Sequence, residues 1–153
     1  MGRVVTISPK IVEGLYCEAL VLSDEVRHAF SLCGRADSGA ADDLGRIAMS
    51  SEGLRTTTRM MHAVAWLLNH RAYFMGELSE FQLRRHGRLS LDLRGLGGEH
   101  VALLPANVRA LVEATLRFYE RLLHLDRTWR QAPPNAPSAI ARLRERLEGR
   151  MVG

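Results

Sequence analysis

Apolar residues recur at steps of three and four through most of this chain, the spacing of helices that each bury one face. The clearest run lies around Ser50 to Ser79. One stripe holds Ile47, Leu54, Met61, Ala65, Leu68, Ala72 and Met75, and a second holds Met60, Val64, Leu67 and Phe74. A helix apolar on two sides has to be covered twice. The pattern therefore predicts that the chain's own core covers one side and a second copy of the chain the other. Trp66 falls in the same run and is expected in the core or the dimer seam, its indole N–H paired with an acceptor.

The limits of the helices follow from capping chemistry. Ser8 followed by Pro9 is a helix start, and Ile7 and Val12 are spaced for a hydrophobic staple across it. The stripe Ile11, Leu15, Ala19, Leu22, Val26, Phe30 and Cys33 continues to Gly34, which ends the first helix. Residues 34–41 read as a loop, and Asp42 and Asp43 favour the start of a second helix. Gly45, Gly53 and the run Thr56–Thr58 weaken its propensity, so its stability must come from packing. It is expected to end near Gly76 after 30 or more residues, a rod of roughly 45 Å. Ser79 and Gln82 form a capping box, with Leu78 and Leu83 as its staple, opening a short turn to His86. Leu89, Leu91 and Leu93 then alternate with polar residues at strand period, predicting a small hairpin or an ordered flap over residues 87–104. Pro105 opens a third long helix with the stripe Val108, Leu111, Thr115, Phe118, Leu122, Leu125 and Trp129, closed by Pro133-Pro134. Ile140 to Met151 is a basic amphipathic tail, too short to be stable as an isolated helix.

These elements predict an all-α protein: a three-helix bundle with long helices over residues 1–132, homodimeric, followed by a flexible or helical C-terminal tail over 133–153. The composition is that of an ordinary globular chain, 46% hydrophobic and 25% charged among 153 residues, enough for one domain with a core. The formal charge of +4 rests almost wholly on arginine, Lys10 being the sole lysine. Basic residues alternate with Glu and Asp, which suits a solvated mixed-charge face. No run approaches the ~20 apolar residues of a membrane span, and the first ten residues lack a signal-peptide core; a cytoplasmic location is expected. Cys17 and Cys33 are separated by ~24 Å along a helix, so they cannot bridge within it. Both are expected to be small, at least half-buried apolar residues.

Catalytic chemistry is hard to find. The histidines at 28, 62, 70, 86, 100 and 124 show no metal-ligand spacing, and Glu120 with His124 makes at best half a site. His62 and His70 are expected on the helix surface or at an interface. No phosphate-binding glycine motif is present. These features predict no enzyme activity and no cofactor. Arg55, Arg59 and Arg71 are expected either to pair with nearby acids or to form a docking surface. The basic patch Arg84, Arg85, His86, Arg88 leaves a nucleic-acid-associated regulator as an alternative. A small-ligand pocket between the bundle and the 87–104 flap is another.

The segment Glu52 to Met61 (EGLRTTTRMM), followed by Ala65-Trp66-Leu67-Leu68, Arg71-Ala72 and Gly76-Glu77-Leu78, resembles the core of the regulator of CtrA degradation family. That alpha-proteobacterial family is best known for a cell-cycle adaptor of the ClpXP protease. Leu104-Pro105 and Leu125-Asp126 extend the resemblance over roughly residues 8–131. It implies a homodimeric three-helix bundle without catalysis. The implied partners are a ClpX-type unfoldase primed by a receiver-domain protein, and the cargo proteins tethered to it. In the corresponding tail, Ile140, Leu143 and Leu147 would line up on a partner groove, and Arg142, Arg144 and Arg146 would steer it toward an acidic surface. The alternative is that this segment packs back on the body as a further helix.

Overall fold

The computed structural model describes residues 7–35, 43–95, 101–132 and 139–152, and all regular structure in them is helical. The elements are α1 (Pro9–Arg35), α2 (Asp43–Phe74), α3 (Glu80–His86), α4 (Ala106–Gln131) and α5 (Ala139–Met151), with 3-10 turns at Leu91–Leu93 and Val101–Leu103. Of the loop expected at 34–41, residues 34 and 35 continue α1, and 36–41 lie outside the described residues, as do Gly97, Gly98, the prolines at 133, 134 and 137, and the side chains of Cys33, Ile140 and Arg142.

Local chemistry sets the helix ends as expected. The Ser8 hydroxyl accepts from the Ile11 amide at 3.3 Å, and Ile7 and Val12 are both buried in the main core. Ser79 and Gln82 cap each other reciprocally, at 3.1 and 2.9 Å. Gly76 turns the chain after α2 with φ +81°, where a side chain would be strained. Gly53 has a packing role in mid-helix: a Cβ there would lie 3.0 Å from the Phe30 ring. The glycine that weakens α2 thus lets α1 approach it closely.

The three long helices contact one another pairwise. Their partners give the directions. Glu13 of α1 meets Arg71 near the end of α2, whereas Phe30 meets Gly53 nearer its start, so the two run antiparallel. Between α2 and α4 the contacts advance together: Ala48 clusters with Val108 and Val112, Arg59 bonds Thr115, Trp66 bonds Asp126, and His70 faces Trp129. These two helices are parallel. Parallel neighbours cannot be joined by a short turn, so the chain must return along their length before α4 can begin. The segment 75–105 makes that return. It passes α3, whose Arg84 meets the Arg130 end of α4, then Ser90 at Tyr119, Leu93 at Arg59, and finally Leu104 beside Ala48.

The return segment is not the hairpin that the alternation of Leu89, Leu91 and Leu93 suggested. Leu89 is buried, Leu93 is half-buried and Leu91 is exposed, but no strand occurs among the described residues. A strand needs a ladder for its backbone groups. Here side chains from the helices take that part. Tyr119 Oη donates to the Ser90 carbonyl at 2.5 Å, and Arg59 Nε donates to the Leu93 carbonyl at 2.9 Å. Arg59 Nη1 reaches Thr115 Oγ1 at 3.0 Å, and Nη2 reaches the Gly95 carbonyl at 3.5 Å. Burial pulls the Arg59 guanidinium below its ordinary value; nearby Glu52 opposes the fall and Arg55 adds to it. Burial also raises the Tyr119 hydroxyl to about 12, so it remains a donor at neutral pH.

Arg59→Met keeps the aliphatic volume and removes every donor. It should cost roughly 2–4 kcal/mol, because two carbonyls and a threonine hydroxyl lose a charged partner in the interior. Urea denaturation would measure the loss, and limited proteolysis should show new cleavage within residues 88–95. An unchanged midpoint would show that Arg59 does not anchor the return segment.

Candidate functional site

Nine residues of α2 are buried, and they divide its two apolar stripes unequally. Met60 and Leu67, with Trp66, face the protein's own core, and Val64 and Phe74 pack against that core while half-buried. The other stripe is left open. Ile47, Leu54, Met61, Leu68 and Met75 are 54%, 71%, 66%, 43% and 65% exposed. They stand seven residues apart, with Leu44, Ser51, Thr58, Ala65 and Ala72 on the adjoining line. Large residues in a strict seven-residue step beside mostly small ones make the seam of a helix that packs along another helix.

A groove of about 840 Å³ runs beside this seam, between α2 and α1. Its walls include Leu20, Val26 and Phe30 of α1 and Met60, Met61, Val64, Ala65 and Leu68 of α2. At its rim Asp24 and Arg27 form an exposed ion pair. Unbranched methionine side chains let such a wall adjust to what lies on it. Leu20 and Val21 extend the apolar surface onto α1, at 45% and 58% exposure. The seven-residue step was present in the sequence; which stripe the core would take was not.

The three arginines expected to act together are separated by burial. Arg71 is half-exposed and pairs with Glu13 across α1 and α2 at 2.7 Å, with its guanidinium 5.3 Å from the Tyr16 ring centre. Arg55 is half-buried. Arg59 is fully buried, so it cannot be a docking residue; its guanidinium is committed to Leu93, Gly95 and Thr115. The basic patch at 84–88 is also split. Arg84 is held by Glu80, by the carbonyls of Arg130 and Ala132, and over the Trp129 ring at 4.4 Å, while Arg85, His86 and Arg88 remain exposed. Of the tail residues, Leu143 and Leu147 are 59% and 55% exposed on α5, and Arg144 and Arg146 are exposed with them. In the single chain these two leucines are not covered by the body. Cys17 is exposed, contrary to the burial expected of it, because it lies off the α1 stripe.

A polar group cluster ties the far ends of α2, α3 and α4. Trp66 Nε1 donates to Asp126 Oδ1 at 3.0 Å, so the indole finds its expected acceptor within the core. Arg130 Nε bonds both oxygens of Asp126, at 3.1 and 3.0 Å, and Nη1 donates to the Arg84 carbonyl at 2.8 Å. His70, expected on the helix surface or at an interface, is buried within the chain against Trp66 and Trp129, with ring centres 4.1 and 5.2 Å away. Neither ring nitrogen has a partner among the described residues. Burial, aided by the Arg130 charge, pushes its pKa down from 6.5 to about 4. The ring is neutral and acts as an apolar plate. Glu52 and Thr56 are buried polar residues that the periodicity concealed. Among the described residues no group of three potential metal ligands occurs, and no helix is long and apolar enough to cross a membrane.

Two outcomes follow. Leu67 and Leu68 are neighbours with opposite environments. Leu67→Glu should unfold the chain or cost several kcal/mol, whereas Leu68→Glu should leave the chain folded and lose at most what a partner on that face contributes; circular dichroism during urea titration compares them. For His70, the unfolded state takes up its proton near 6.5 and the native state near 4. Its contribution is thus fully present above pH ~6.5 and is lost as pH falls toward 4, roughly 2 kcal/mol by pH 5. His70→Phe should flatten that slope, and equal slopes in the two proteins would exclude His70 as its source.

No curated protein and no solved structure matches this chain. A family model does match, across residues 5–151. The chain belongs to the family described as "Protein of unknown function (DUF1465)".

Proposed function

We propose that this protein is a non-enzymatic adaptor that works as a homodimeric three-helix bundle with a C-terminal arm. The observation that carries this reading is the uncovered seven-residue stripe from Ile47 to Met75, with the α1–α2 groove beside it. An apolar seam of this length is costly to leave in water, and a second copy offers a matching seam by symmetry. The arm begins after Ala132, and its exposed Leu143 and Leu147 supply a small apolar edge flanked by arginines. A rigid body with such an arm can hold cargo near a protease and raise its effective concentration without new chemistry. The resemblance to the regulator of CtrA degradation family supplies the partners: a ClpX-type unfoldase primed by a receiver-domain protein, acting in the cytoplasm on regulatory cargo.

The experiment has two arms. Sedimentation of the wild-type chain should give a dimer at micromolar concentration, and Met61→Glu with Leu68→Glu should give a folded monomer. A wild-type monomer would overturn the dimer. In a reconstituted ClpXP reaction containing a receiver-domain protein and cargo, the full chain should accelerate cargo loss. Truncation after Ala132 should abolish that acceleration with little change in melting temperature. Unaltered cargo turnover with and without the full chain would overturn the adaptor role.

A further inference from the structure

A second cleft, of about 770 Å³, lies between the return segment at 88–94 and α4. Four of its lining side chains are arginines: Arg88 and Arg94 from the return segment, and Arg127 and Arg130 from α4. Some arginines elsewhere are answered by a nearby acid. Arg27 pairs with Asp24, Arg71 with Glu13, Arg84 with Glu80 and Arg121 with Glu18. In the cleft, Arg88, Arg94 and Arg127 are exposed, and none has an ion-pair partner among the described residues. Arg130 has spent its Nε on Asp126 and its Nη1 on the Arg84 carbonyl, which leaves Nη2 buried without a partner. The acids in the lining are Asp92 and Asp126, and Asp126 is already taken by Arg130 and Trp66.

Arginines from two elements therefore line one concavity with a surplus of positive charge. Like charges gathered in a cleft repel one another, and the cleft walls focus their field on whatever enters. Planar guanidinium forks match the oxygens of a phosphate group two at a time. The volume is that of a small-molecule site. Leu91, more than half exposed, and Leu123 add an apolar surface to the same lining.

We infer that this cleft binds a small phosphate-bearing anion, gripped by Arg88, Arg94 and Arg127, with the non-ionic body of the ligand lying on Leu91 and Leu123. An acidic protein segment is the competing occupant, but charge enclosed between two walls favours a compact multiply charged group over an extended chain. The inference does not depend on the adaptor reading: the cleft and the α1–α2 groove share no lining residue.

Calorimetric titration of the full chain tests it, with inorganic pyrophosphate and ADP as probes. Saturable one-to-one binding of at least one probe is expected. Arg94→Ala combined with Arg127→Ala should weaken it about tenfold or more. Melting temperature should stay unchanged, since neither side chain has an ion pair to lose. Arg85→Ala, an exposed arginine outside the cleft, should leave the affinity unaltered. Absence of saturable heat with both probes would overturn the proposal. So would an equal loss from Arg85→Ala, which indicates net charge alone, or tighter binding of a glutamate-rich peptide than of either probe.

Discussion

The guanidinium of Arg59 is the tie on which the arrangement of this protein depends. It projects from the middle of α2 into the interior and is shared between Thr115 of α4 and the carbonyls of Leu93 and Gly95. One side chain thus fixes α2, α4 and the segment that joins them. Arginine suits the position because its five donors spread in a plane and its charge strengthens each bond. A lysine would offer a single point of attachment, and an apolar residue none. The cost of burying the charge is offset by several acceptors that would otherwise be unpaired themselves. Tyr119 acts in the same way one turn further along α4, and the Asp126–Arg130 pair does so at the far end.

This polar reinforcement follows from topology. Antiparallel helices such as α1 and α2 can be joined end to end by a short connection. Parallel α2 and α4 require a long return, and its backbone runs beside helices that have no free main-chain groups to offer. Helix side chains must then supply the donors. The three polar anchors therefore sit on α2 and α4 and hold the strap of chain between them, while the polar contacts to α1 are the ion pairs of Arg71 with Glu13 and Arg121 with Glu18.

Much of this was legible beforehand. Ser8, the Ser79–Gln82 capping box and Pro105 act locally, so they placed helix starts to within a residue or two, and the stripes of α1 and α4 largely found their burial. The alternation at Leu89, Leu91 and Leu93 misled because period alone does not supply a ladder; a 3-10 turn capped by Ser90 meets the same pattern with different hydrogen bonds. For the candidate site, periodicity revealed two apolar stripes on α2 but not their owners. Successive helix positions differ by about 100°, so Leu67 and Leu68 look alike in sequence and differ wholly in surroundings. Arg59, expected in an ion pair or a docking surface, and His70, expected on the surface or at an interface, differ for the converse reason. Their polarity masks the fact that they lie on the buried line with Ala63, Trp66 and Leu67, and only the partners contributed by distant segments make that burial tolerable.

The parallel pairing of α2 with α4 also bears on the order in which the chain assembles. α1 and α2 are successive in sequence, so their antiparallel packing closes the shorter loop and is the cheaper first step. The bonds that hold α4 join residues 56 and 60 positions apart, from Arg59 to Thr115 and from Trp66 to Asp126. Closing loops of that size spends entropy before any contact rewards it. The burial of Arg59 and of His70, which α4 meets through Thr115 and Trp129, therefore waits on the slowest closure in the chain.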